Sequence, residues 1–471
     1  LARALAASHA AMAAGALLQM AFVAILARLL GQAEYGLFAA AAGIMRFLTY
    51  AADLGIGTLV ARRGRTLGAD TLAALFLAGL AATLALAGAT WVVAPWLCAW
   101  AGADAATGPS ILRALGFLPA IAASGQIATA LLRHDLRFDM LALQSLSALL
   151  VAQALVAIPM ALAGAGARSL VASAVAQAAV ASLIAWGAAP HAWRFARVPG
   201  AAILSESAWF WVLRVLDSAG FHALAPLALA FAGAAQAGIW DRAVAISILP
   251  MELIAVASAQ VLFPAYARAQ GDLETIRQRW RVGLAAILTV HGTIASLALV
   301  AGPELVRLAL GQHWTDAAAC FSILAVWGLL RGASVANGSV SEAQGALRMR
   351  ASLQSGFLLV GGIALFWIAP ASAAELALIV VAVDLPFQAA ALVVASSATQ
   401  SRFGAVIRTV LGAVTAVALA SAIVVAGAQL GGVWGGLLGA GLGLGAALWW
   451  HPFAPLRAIV RQTVAGQASV G

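Results

Sequence analysis

An all-α protein crossing a membrane about fourteen times is the fold class this sequence predicts, on three observations. Of its 471 residues, 64% are hydrophobic and 9% charged, whereas soluble domains are roughly 45–50% apolar and about 25% charged. The apolar residues fall in stretches of at least about 20, enough for a helical span. Most of the 26 basic residues, all arginine, sit at the ends of the stretches on one side of the membrane.

Taken in order, the stretches bounded by charge, Gly or Pro place spans near 5–30, 35–60, 71–97, 110–132, 140–162, 169–189, 206–232 and 236–264. Six more fall near 282–302, 317–338, 351–369, 374–397, 405–427 and 431–450, the last two rich in glycine. The first stretch is too long for a signal peptide and is read as a span. With the N-terminus cytoplasmic, 18 arginines lie on the cytoplasmic side against two, Arg168 and Arg307, on the other. That split follows the positive-inside rule and predicts that both termini are cytoplasmic. Trp91, Trp96 and Trp100 at the outer end of span three, with Trp449 and Trp450 at the inner end of the last, suit an interfacial aromatic belt.

Composition also narrows the chemistry. The net charge of +9 belongs to helix ends and is no nucleic-acid footprint. Cys98 and Cys320 lie inside apolar segments, so no disulfide framework is indicated. Without a CxxC or a paired His/Cys spacing, no metal site is expected. There is no G-x-S-x-G, and a P-loop is impossible without lysine. No catalytic residues and no cofactor are therefore expected, and the chain is read as a carrier rather than an enzyme.

The two halves repeat. Gly31-Gln-Ala-Glu-Tyr-Gly36-Leu-Phe after span one matches Gly233-Ala-Ala-Gln-Ala-Gly238-Ile-Trp after span seven, at an offset of 202. Ser110-Ile-Leu-Arg-Ala-Leu-Gly116 matches Ser322-Ile-Leu-Ala-Val-Trp-Gly328 at offset 212, and Leu143-Gln-Ser145 matches Leu353-Gln-Ser355 at offset 210. An offset of six spans keeps both halves in one orientation, as in transporters built of parallel repeats about a central site. The expected domains are an N-terminal lobe over 1–190, a basic, aromatic linker over 191–205 and a C-terminal lobe over 206–400. Two appended spans (401–450) and a cytoplasmic tail (451–471) complete them.

An ionisable group inside a span costs about 2.5–3.5 kcal/mol on insertion scales, so each needs a reason. Arg46, Thr49, Tyr50 and Asp53 share one face of span two. Asp53 lies about 10 Å nearer the cytoplasm than Arg46 at about 1.5 Å per residue. Arg214, Asp217, Ser218 and His222 form a similar stripe on span seven. On span eight, Asp241 and Glu252 share a face beside Arg242. Such stripes face protein or water, not lipid. Spans two and seven belong to different halves, so their stripes could converge. The alternative is local: Arg214 and Asp217 neutralise each other, and Arg46 and Asp53 bond within the bundle.

Specific segments resemble a known family. Ala24-Ile-Leu-Ala-Arg-Leu-Leu-Gly-Gln-Ala-Glu-Tyr-Gly-Leu-Phe38 and Ala52-Asp-Leu-Gly-Ile-Gly-Thr58 resemble the opening of bacterial polysaccharide transporters. These are the oligosaccharide (O-antigen type) flippases of the multidrug/oligosaccharidyl-lipid/polysaccharide exporter superfamily. Gly238-Ile-Trp-Asp-Arg-Ala243, Val261-Leu-Phe-Pro-Ala-Tyr-Ala267 and Pro303-Glu-Leu-Val-Arg-Leu-Ala-Leu-Gly311 follow in that family's order, so the likeness covers roughly residues 1–400. Trp240 and Asp241 depart from the Tyr and Ser common among relatives.

The resemblance implies transfer of an undecaprenyl-pyrophosphate-linked oligosaccharide across the bacterial cytoplasmic membrane, for exopolysaccharide, O-antigen or capsule synthesis. It implies two six-helix lobes around a cavity, alternating access, and work beside a polysaccharide polymerase and a chain-length regulator, with no nucleic acid as partner. On that reading Arg46, Arg214 and Arg242 bind the pyrophosphate, since a guanidinium donates to two phosphate oxygens at once and stays charged. Tyr50 and Gln19 would add contacts. Asp53, Asp217, Glu252 and Asp384 are candidates for coupling to H+ or Na+. The local alternatives are that Asp53 caps a loosened helix and that Asp384 partners backbone freed by Pro386. His222 and His291 are read as bonded bundle residues.

Three other functions compete. A multidrug/cation antiporter would carry carboxylates where this chain carries arginines. A flippase for the peptidoglycan lipid precursor shares the same physics. A membrane polymerase or ligase would carry a long outer loop, and the longest here, about 303–316, is short.

Overall fold

Lipid offers no partner to a backbone N–H or C=O, so a chain this apolar must satisfy those groups within each segment. The computed structural model describes residues 2–104, 106–191, 194, 208–269 and 272–449, and among them helix follows helix with no strand. The chain forms two compact units, Leu1–Arg242 with Pro370–Ala373, and Ala243–Ala369 with Ala374–Gly471.

The first unit contains α1 (Ala2–Leu29), α2 (Gln32–Ala52), α3 (Ile56–Arg63), α4 (Ala69–Trp100), α5 (Gly108–Gly116) and α6 (Leu118–His134). It continues with α7 (Phe138–Leu150), α8 (Ile158–Leu162), α9 (Ala167–Ala188), α10 (Ala208–His222) and α11 (Leu224–Ala232). Helix α12 (Ala234–Arg268) starts there and runs into the second unit. That unit adds α13 (Leu273–Leu310), α14 (Ala317–Ala343), α15 (Leu347–Ile368), α16 (Ala373–Ala398) and α17 (Phe403–Trp449). Among the described residues, eleven helices are long and apolar enough to cross a membrane, and Leu17–Leu29 is a shorter apolar helix. The protein is an all-helical, multi-pass membrane protein.

Breaks in the helices have local causes. The stretch 35–60, expected as one span, divides into α2 and α3 where Leu54 (φ 50°) and Gly55 (φ 76°) turn left-handed. Helices α5 and α6 part at Phe117, just before Pro119, whose ring cannot continue the hydrogen-bond ladder. The repeat counterpart 212 residues on is Arg331, and there α14 runs unbroken. Helix α13 kinks at Ala301, two residues before Pro303. The two expected C-terminal spans are joined by no loop: α17 folds back at Gly431 and Gly432, the latter at φ 57° and ψ −142°, where a side chain would be strained.

In the first unit, Ile56, Leu75, Phe76 and Leu131 form one buried cluster, and Met45, Leu112 and Leu115 belong to another. Trp280, Ile276 and Val340 centre the core of the second. Glycine sets the tightest approaches. Gly36 on α2 and Gly238 on α12 meet backbone to backbone, with no space for a Cβ on either. Gly427 against Gly435, and Gly439 against Ile423, close the hairpin within α17 in the same way. Of the linker expected over 191–205, only His191 and Arg194 are described, and the tail expected over 451–471 lies outside the described residues.

Candidate functional site

The polar stripe of α2 is placed by how closely its neighbour approaches. A Cβ at Gly43 would strike the His222 carbonyl and the Pro226 ring, so α2 lies tight against the junction of α10 and α11. The Trp211 indole donates to the Tyr50 carbonyl at 3.2 Å, and the Tyr50 and His222 rings stack with centroids 6.1 Å apart. The stripes of spans two and seven therefore do converge, inside the first unit.

Asp53 ends α2. Its Oδ1 accepts the Gly57 N–H at 3.2 Å and the side-chain amide of Gln126 on α6. These are the contacts of a cap at the helix break. The carboxylate is also held in a field of positive charge, because Arg214 from α10 and Arg133 from the end of α6 both act on it electrostatically. Arg133 and Arg214 act on each other as well. One carboxylate thus lies within electrostatic reach of two guanidiniums from distant parts of the chain.

Arg46, Arg133 and Arg214 are exposed at the surface of the unit. None of them makes a hydrogen bond or ion pair with another described residue. Like charges repel, and Arg133 and Arg214, held near enough to act on each other with unused donors, favour an added anion. Each planar fork offers paired N–H groups that match phosphate oxygens. Arg133 and Gln126 were not singled out in the sequence. Arg133 reads there as a cytoplasmic helix-end charge, and Gln126 as one amide in an Ala-rich helix. Their signal is spatial, since only the packing of α6 against α2 and α3 brings them to Asp53.

Other expected residues lie elsewhere or are already engaged. Arg242 donates to its neighbour Asp241, with Nη2 to Oδ2 at 2.5 Å, and its guanidinium lies 4.1 Å from the ring centroid of buried Tyr35. Gln19 is exposed on α1, and Asp217 is half-buried on α10. The side chain of Glu252 lies outside the described residues. In the second unit, Asp384 accepts from the Trp327 indole at 3.0 Å and from the Gln388 amide at 2.9 Å, so side chains rather than backbone near Pro386 hold it. Buried His291 bridges the Ile287 carbonyl (2.9 Å) and the Met251 carbonyl (3.1 Å), as expected of a bonded bundle residue.

Residues 25–319, more than half of the chain, match a family model described as polysaccharide biosynthesis protein. A stretch of 137 residues is 28% identical to the teichuronic acid biosynthesis protein TuaB of Bacillus subtilis (strain 168), covering 29% of this chain and 28% of that one. The match thus spans under a third of that relative's length.

Among solved structures, the lipid II flippase MurJ in an inward closed conformation is similar with a TM-score of 0.73 at 10% identity, over 94% of this chain and 98% of that one. An inward-facing multidrug resistance MATE family transporter of the MOP superfamily gives 0.63 at 15% identity, over 82% and 96%. A MOP superfamily transporter from Pyrococcus furiosus gives 0.55 at 16%, over 84% and 95%. At these identities the likeness is one of fold.

Proposed function

The chain belongs to the polysaccharide biosynthesis protein family, and from that premise we propose that it flips a lipid-linked oligosaccharide, carried on undecaprenyl pyrophosphate, across the bacterial cytoplasmic membrane. The observation that carries this reading is the set of guanidiniums at Arg46, Arg133 and Arg214, which make no hydrogen bond or ion pair among the described residues. A pyrophosphate brought into a span loses its water, and fixed donors must replace it. Arg214 and Arg133 supply them beside Asp53, and Arg46 extends the positive stripe about 10 Å along α2 at about 1.5 Å per residue. Tyr50, held by Trp211 and His222, fixes the wall between them. Gln19 adds an exposed amide on α1. Arg242 is already paired with Asp241 and stacked on Tyr35, so its fork is not offered to the substrate.

The two repeats would expose this surface to either side in turn, with H+ or Na+ binding at Asp53, Asp217 or Glu252 setting the direction. Both termini lie in the cytoplasm on this reading. A cationic drug would be repelled by the same arginines, which argues against a multidrug antiporter. A peptidoglycan lipid precursor differs in its sugars and presents the same phosphates.

The test is a deletion strain complemented at equal expression with Arg46→Ala, Arg133→Ala or Arg214→Ala, with surface polysaccharide measured. Each lost charge-assisted contact is worth about 1.5–3 kcal/mol, or roughly tenfold or more in transport. Full restoration by all three variants would overturn the proposal.

A further inference from the structure

Three helices of the second unit turn polar side chains to one place. Ser334, Asn337 and Ser341 recur on α14 at the spacing that keeps a single face, Gln354 comes from α15, and Asp384 and Gln388 lie one turn apart on α16. They line a pocket of about 40 Å³. A water needs roughly 10–15 Å³ of such space, so the pocket has room for about three. Phe357 and Phe387 form its apolar wall, edge to face with centroids 5.9 Å apart. Polar groups gathered inside spans are costly and mark function.

Two observations set this pocket apart from a packing gap. The first is the repeat, in which Gln354 is the counterpart of Gln144. Gln144 is 8% exposed, and its amide donates to the Thr129 hydroxyl (3.0 Å) and the Ala181 carbonyl (2.9 Å). That joint is closed in the first unit, whereas its counterpart opens into a polar pocket in the second. The other is Gln388. Its NH2 group donates to Asp384, and its carbonyl oxygen is enclosed with no donor among the described residues. That buried acceptor is left without a donor, a polar imbalance beside the pocket.

Charge narrows the ligand class. Asp384, 5% exposed, is offset by Arg331, and Arg350 on the lining is paired with Glu342. The wall is balanced and favours neither a bare cation nor an anion. What remains are amides and hydroxyls beside aromatic rings. That set complements a sugar, whose hydroxyls both donate and accept and whose C–H face packs on aromatic carbon. Three water-sized positions suit the hydroxyls along one edge of a sugar ring.

We propose that this pocket reads one sugar residue of the transported glycan by its hydroxyl edge, with Asp384 accepting and the Gln354 amide donating. The proposal rests on the flippase reading above and adds where the glycan is recognised.

It is tested by thermal unfolding of the purified full-length protein in detergent, titrated with free hexoses, N-acetylhexosamines and hexuronic acids. Sodium chloride and choline chloride at equal ionic strength are run alongside. One sugar class is expected to raise Tm, and Gln388→Leu and Gln354→Ala to weaken half-saturation at least about tenfold. Gln144→Leu, at the closed counterpart, keeps the shift. If Gln388→Leu does not fold, Ser334→Ala and Gln354→Ala carry the same test. A sodium-specific shift abolished by these variants, with no response to any sugar, would assign the pocket to a cation and overturn the proposal. So would the absence of any response, or a sugar shift that the variants leave intact. The flippase reading fails separately, in cells, if the arginine variants restore polysaccharide.

Discussion

At the scale of single residues, Asp53 does two things that substitution can separate. It accepts from Gly57 and Gln126 across the break between α2 and α3, and its carboxyl group lies within electrostatic reach of Arg133 and Arg214. Asp53→Asn keeps an acceptor oxygen, whereas Asp53→Ala removes it and is expected to cost about 1.5–3 kcal/mol, read as a fall in Tm. A folded Asp53→Asn that exports normally makes the residue a cap, and a folded variant that exports nothing makes its charge part of transport. Asp272, outside the spans, is a simpler cap. Its carboxylate accepts the Thr275 hydroxyl (2.5 Å) and N–H (3.1 Å) at the start of α13, and these bonds hold it below the usual aspartate range. A lowered native pKa gives stability that is complete above the unfolded value, about 3.9, and lost as pH falls through the native one. The Tm difference between the protein and Asp272→Ala should therefore shrink on acidification below that range. A difference that stays constant with pH would show that the cap is idle.

At the scale of elements, glycine decides which helices touch. Gly36 and Gly238 occupy equivalent places in the two repeats, and the structure presses them together. Gly36→Ala or Gly238→Ala puts a methyl group into the facing backbone and must push α2 from α12, at a cost of about 1–3 kcal/mol for overpacking. Thermal melts of each variant check this, and an unchanged Tm would mean the crossing is looser than it looks. The glycine spacing was legible as a repeat, since G-x-x-x-x-G recurs after spans one and seven. That the two copies meet each other was not, because a repeat in sequence fixes similarity and not contact. Helix breaks divide the same way. Pro119, Pro303 and Gly431-Gly432 are visible punctuation, whereas the division of the stretch 35–60 at Leu54 depends on the Asp53 cap and the packing of Gln126 behind it.

At the scale of the whole molecule, the chain belongs to the family of polysaccharide biosynthesis proteins and shares its fold with MurJ and MATE transporters. The site itself was half legible. Arg46, Tyr50, Asp53 and Arg214 stood out as charged or polar residues in apolar spans, whose burial in lipid needs a reason. Arg133 did not, because at a helix end it satisfies the positive-inside rule and asks for nothing more. Arg242 stood out for the same reason as Arg46, yet its neighbour Asp241 and the ring of Tyr35 occupy it. Composition and hydrophobic patterning alone determined that this chain is helical and spans the membrane many times, because lipid leaves the backbone no other way to bond. Which guanidiniums stay unpaired, which repeat joint closes and which opens into a polar pocket was decided only by tertiary structure, since those outcomes depend on side chains from helices far apart in sequence meeting or failing to meet.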